Sequence, residues 1–220
     1  MCSENKWKNI LSFLLVALLL LVGGCSSVEY AAYEKLGIHK RDILVDRVED
    51  ARDSQKEAKE QFASALEEFS AVLNFKGGEL EETYDTLNDE LERSEERAEE
   101  VRERIEEVED VAEALFDEWS DELNQYSSAK LRRSSERKMQ ETRKHYQQLM
   151  KAMRRAESKI EPVLTPLRDQ VLFLKHNLNA RAIASLQSEL GRVEGNVSSL
   201  IADMEAAIRE ADAFIGRMEE

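Results

Sequence analysis

The sequence is poor in everything that bends, staples or flattens a polypeptide. Its 220 residues include two prolines, eight glycines and two cysteines, and only 6% are aromatic. So few strand and turn formers argue against a sheet-rich domain. No cysteine follows residue 25, so the chain beyond it can hold no disulfide and no thiolate metal site. The net charge of −15 argues against nucleic acid as a partner, since its phosphates need a basic surface. His39, His145 and His176 are the only histidines. None has a glutamate three residues before it, so the inward-facing Glu-x-x-His pairs of di-metal bundles are missing. His145 neighbours an apolar seam and reads as a surface residue. There is no Gly-rich phosphate loop, His-Glu-x-x-His pair or nucleophile elbow. The acidic runs lack calcium-loop spacing and read as solvated faces. On these grounds no catalytic, cofactor-binding or metal-binding residue is assigned. No cofactor or small-molecule substrate is expected, and the protein is expected not to be an enzyme.

What the chain has is charge and periodicity. Charged residues make up 35%, in the proportions of long helices or coiled coil. The one long apolar run, Ile10 to Val22, is interrupted only by Ser12. It falls short of the roughly 20 residues a spanning helix needs. Lys6 and Lys8 precede it and small residues follow, the layout of an export signal. Its exit, Val22-Gly23-Gly24-Cys25, resembles the lipobox of bacterial lipoproteins, with Val22 where leucine is more usual. The resemblance implies removal of residues 1–24, a diacylglyceryl group on the Cys25 sulfur and a palmitate-type acyl chain on its new amino group. Three chains would hold permanently where one holds only marginally. Ser26 stands where an aspartate commonly favours inner-membrane retention. The resemblance therefore implies an outer-membrane anchor facing the periplasm, with residues 25–42 as the lipidated N-terminus and connector.

Apolar residues at steps of three and four then predict four helices, over about 43–75, 79–126, 129–175 and 180–218. The first seam runs from Leu44 to Val72, with Gln55 its one polar member. It ends at Gly77-Gly78, where paired glycines permit a turn. The second runs from Leu80 through Ile105 to Trp119 and Tyr126. Ser128 is placed to cap the third helix. That helix holds its register from Met139 to Leu174 across Pro162 and Pro166, which predicts a kink rather than an end. A fresh helix starting at Pro166 is the competing reading. The fourth seam combines Ile183, Leu190, Val197, Met204, Ala211 and Met218 with Leu186, Val193, Leu200, Ala207 and Phe214. Gly191, Gly195 and Gly216 lie off it. Asn196-Val197-Ser198 fits a glycosylation triplet, but Val197 belongs to the seam. Each stripe must be buried against another, and short breaks favour antiparallel neighbours. The expected fold is all-α: an elongated antiparallel bundle or coiled coil of about four long helices.

Charge is divided unevenly among them. Residues 79–122 carry 21 acids against four bases, and residues 130–159 carry eleven bases against three acids. These two segments are expected to pair, so that the acidic helix neutralises Lys130, Arg132, Arg133, Arg137, Lys138, Arg143, Lys144, Lys151, Arg154 and Arg155. The competing use of that basic strip is to bind anionic lipid or an acidic partner.

The stretches YEKLGIHKRDILVDRVEDARDSQKEAKEQF, FKGGELEETYDTLN and VLFLKHNLNARAIASL resemble an uncharacterised bacterial family, domain of unknown function 2959. The resemblance spans nearly all the chain after the signal. It implies a periplasm-facing helical lipoprotein and supplies no activity. The leading functional expectation is a non-enzymatic, lipid-anchored periplasmic scaffold or adaptor, acting through helix–helix contact with a protein partner or by self-association. The alternative is a membrane-active helical protein that remodels or permeabilises bilayers, suggested by the apolar stretch Val163 to Leu174.

Overall fold

The computed structural model describes residues 39–73, 80–177 and 180–219. Within them the chain is helical throughout except at its turns, and no strand occurs among the described residues. The helices are α1 (Lys40–Leu73), α2 (Leu80–Glu122), α3 (Ala129–Glu157), α4 (Ile160–His176) and α5 (Ala180–Glu219), with a short 3-10 turn at Leu123–Gln125 after α2. They form four columns, the third made of α3 and α4 in tandem. The fold is thus the expected all-α helical bundle. The signal, Cys25 and the Gly77-Gly78 turn lie outside the described residues, as does the side chain of Ile183.

The heptad stripes build the core. Leu44, Val48, Ala58, Phe62 and Phe69 of α1 are fully enclosed, as are Ala98, Val101, Ile105 and Val108 of α2. On α5 the enclosed residues are Leu186, Val193, Leu200, Met204, Ala207 and Ala211. Each large apolar side chain so buried contributes about 1.5–3 kcal/mol. α1 lies between α2 and α5, and α3 with α4 fills the opposite side against the same two helices. Gly191, Gly195 and Gly216 face open space, as their off-seam positions require. Gln55 is wholly buried in the α1 seam, and neither polar atom of its amide finds a hydrogen-bond partner. Such a group lowers stability relative to an apolar residue of similar shape.

The third column departs from expectation. α3 ends at Glu157 and α4 starts at Ile160, so the chain breaks at Ser158-Lys159, one turn ahead of the first proline. It neither kinks through at the prolines nor restarts at Pro166. The reason is steric. In a continuous helix the Pro162 ring would strike the carbonyl four residues earlier, at Ser158. The break removes that clash and leaves Pro162 in the first turn of α4, where a missing N–H costs nothing. Pro166 stays inside α4 and cannot donate to the Pro162 carbonyl. Asn196 of α5 does so instead, its Nδ2 donating at 2.8 Å. That bond also gives Asn196 a structural use within the bundle.

α2 ends earlier than expected as well. The 3-10 turn buries Leu123, and Tyr126, placed in the seam by its spacing, is 41% exposed. Ser128 caps α3 as anticipated: its Oγ accepts from the Leu131 N–H at 3.4 Å.

Candidate functional site at the entry end of the bundle

The start of α1 is the end through which the chain enters the bundle. The His39 carbonyl accepts from the N–H groups of Asp42 and Ile43 at 2.9 and 3.1 Å, which begins the helix. Lys40 Nζ sits 3.3 Å from Glu118 of α2. Arg41 donates to the backbone carbonyl of Met218 near the end of α5. Trp119 Nε1 donates to Ser135 Oγ of α3 at 2.8 Å. These contacts bring the start of α1, the end of α2, the start of α3 and the end of α5 to one level. A cavity of about 330 Å³ lies among them, with Leu115, Trp119 and Met218 as its apolar lining, Arg41, Lys138 and Arg217 as its cationic lining, and Glu118 and Glu122 as its acidic lining. His145, half-buried beside it, lines a neighbouring cavity of about 270 Å³ together with Phe214 and Arg217.

The charge of the third column is handled in two ways. Around the break, arginines reach acids on other helices. Arg154 grips Glu109 through two nitrogens, one at 3.0 Å, and Arg155 pairs with Asp203 of α5 at 2.9 Å. Arg168 contacts Glu95 and lies 2.9 Å from Glu161, which also takes Arg102 at 2.9 Å. The hydrogen bond from Arg168, with help from Arg102, holds the Glu161 carboxyl below its usual range. Hydrogen bonding by Glu109 pushes the Arg154 guanidinium up. Burial, reinforced by Glu109, pushes the Tyr146 phenol to about 12. Tyr146 also meets the ring of Phe116 edge-on at 5.6 Å, and the Arg143 guanidinium lies 4.7 Å over that ring.

Nearer the entry end the arrangement changes. Lys130, Arg132, Arg133, Arg137, Lys138, Lys144 and Lys151 make no ion pair among the described residues, and every one is exposed. The expectation that the acidic helix neutralises the whole strip is therefore corrected. α2 packs chiefly on α1 and offers acids to α3 only where the two helices touch. Lys130, Arg133, Arg137, Lys144 and Lys151 recur at steps of three, four, seven and seven. That spacing sets them on one face of α3, opposite the buried Thr142, Leu149, Met153 and Ala156. Tyr126 and Leu131, 41% and 57% exposed, lie at the end of the bundle where this strip begins. Sequence reasoning missed the exposure of Tyr126, because α2 was expected to continue through it.

The other exposed large apolar residues, Leu172 and Phe173 of α4, lie toward the opposite end. Their neighbours Val171 and Leu174 face the core. Arg168, one turn before them, meets Glu95, which precedes Trp119 by about 36 Å along α2. No described helix is long and apolar enough to cross a membrane, and no group of metal-ligating side chains occurs among the described residues.

A family model described as "Protein of unknown function (DUF2959)" matches residues 29–218, and the chain belongs to that family. No curated protein matches the sequence significantly.

Proposed function

We propose that this protein is a non-enzymatic, lipid-anchored scaffold or adaptor of the bacterial envelope. In this reading Cys25 carries the lipid, the outer membrane holds it, and the bundle faces the periplasm. It acts by helix–helix contact with a protein partner or a second copy. The observation that carries the proposal is the placement of the exposed apolar residues. Tyr126 and Leu131 lie at the entry end, while Leu172 and Phe173 lie toward the other. Between them runs a bundle whose longest described helix, α2, has 43 residues and is about 64 Å long. A tether at one end would hold the second pair away from the bilayer, where a helical partner can bury it.

The burial of Val171 and Leu174 favours this reading over bilayer remodelling. Laying α4 into a membrane would first pull those residues, together with Ile160, Val163, Leu164 and Leu167, out of the core, at about 1.5–3 kcal/mol for each large side chain. The test is photo-crosslinking in intact cells from Leu172 and Phe173. A discrete adduct with one protein, absent from a probe at exposed Ser64 of α1, is the expected result. Monomer alone from both α4 positions would reject the adaptor role.

A further inference from the structure

The entry end combines three features that have no explanation inside the bundle. The first is five bases within nine residues, Lys130, Arg132, Arg133, Arg137 and Lys138, opposed in that stretch only by Glu136. None of the five has an ionic partner among the described residues. The second is the pair of exposed apolar side chains beside them, Tyr126 and Leu131. The third is location. Trp119 bonds Ser135 and Lys40 pairs with Glu118, so the strip stands level with the point where the chain enters α1. Only fourteen residues lie between Cys25 and Lys40, a reach of at most about 50 Å.

We propose that the Leu123–Ser128 turn and the first turns of α3 dock on the headgroups of anionic phospholipid, with Tyr126 and Leu131 entering the interface. Basic residues beside an aromatic and an aliphatic side chain are the composition of an interfacial contact. Each base near an anionic surface favours docking roughly fivefold. The whole protein is acidic, and Asp121 and Glu122 are exposed at the end of α2, but the acids of α1 lie elsewhere. Asp46, Asp50, Asp53, Glu57, Glu60 and Glu67 are all exposed on α1, which packs on α2 and α5 and sits across the bundle from α3. With a screening length of about 8 Å at physiological salt, the surface next to the lipid decides the interaction. The bundle is thereby oriented with its entry end toward the bilayer and Leu172 and Phe173 away from it.

This inference rests on the lipid-anchored reading, and the experiment separates the two. The full-length processed protein would be reconstituted into vesicles with and without phosphatidylglycerol in phosphatidylcholine. A fluorophore on Ser134→Cys reports proximity to a headgroup quencher, and one on Ser64→Cys serves as the α1 control. We expect Ser134 quenched only in the anionic vesicles, with release at about 0.5 M salt, where screening shortens to roughly 4 Å. Combined Arg132→Glu, Arg133→Glu, Arg137→Glu and Lys138→Glu should lower the docked fraction by at least about tenfold. Its helicity and melting check the fold, and the salt response of the unsubstituted strip stands independently of them. Protein that floats with vesicles but leaves Ser134 unquenched, or equally quenched without anionic lipid, overturns the docking and spares the anchor. Failure to float with either vesicle overturns both. Crosslinks from position 134 to protein rather than lipid in intact envelopes also overturn it, in favour of an acidic protein or a second copy.

Discussion

The third column has two halves that differ in how they hold positive charge. From Arg154 to Arg168 each arginine reaches an acid on α2, α4 or α5, and Glu109, Glu161 and Asp203 serve as anchors. From Lys130 to Lys138 five bases within nine residues make no ion pair among the described residues. The two segments lie on the same column. What separates them is whether an acid on a neighbouring helix lies within reach. Charge in this bundle is structural where such an acid is met and available where none is.

The comparison can be broken most severely beneath the paired half. Ile105 of α2 is fully buried, and Ile105→Asp would leave a carboxylate without a partner in the seam. A loss of about 3–5 kcal/mol is expected, read as a large drop in the thermal midpoint and in helicity. Leu131→Asp, at a position 57% exposed, should change stability by no more than about 0.5 kcal/mol. Equal effects would erase the distinction between the two regions.

A milder contrast sets one arginine against another. Arg154→Ala removes a two-pronged grip on Glu109 and the 2.8 Å bond to Glu157, and chemical denaturation should register a loss of about 1 kcal/mol. Arg137→Ala should cost at most about 0.5 kcal/mol.

Acid gives the smallest and most local signal. The Glu161 carboxyl is held below its usual range, first by Arg168 and then by Arg102. The folded state therefore takes up that proton less readily than the unfolded chain. The associated stability is complete above the unfolded pKa and is lost as pH falls through the folded one. In Arg168→Gln the main cause is gone. Its stability should fall less than that of the unsubstituted protein when denaturation midpoints at neutral and acid pH are compared. Parallel declines would show that Arg168 is not what holds Glu161 ionised.

Much of the core was legible because burial follows a seven-residue rhythm that survives in the bare sequence. From Leu186 to Met218 every predicted seam residue that is described is buried or half-buried. The break at Ser158-Lys159 was not legible, because its cause and its position differ by four residues. Pro162 acts on a carbonyl one turn upstream, and neither Ser158 nor Lys159 is itself a strong breaker. Pro166 was misjudged for another reason: the group that makes it tolerable, Asn196, arrives from a different helix. Tyr126 left the seam because a single 3-10 turn shifted the phase and put Leu123 inside. The free basic strip was hidden most deeply. Opposite charge totals suggest that two segments can pair, and only three-dimensional placement tells which residues of each come within reach.

The contact between Arg41 and the Met218 carbonyl also bears on topology. It draws the first turn of α1 and the last turn of α5 together, so the helices make a nearly closed circuit. A short linker joining residue 219 to residue 40 would complete it, and a permuted chain opened at another turn would keep the same neighbours. What defines this architecture is the cyclic order of its helices, and the gap in the circuit sits where the chain enters the bundle.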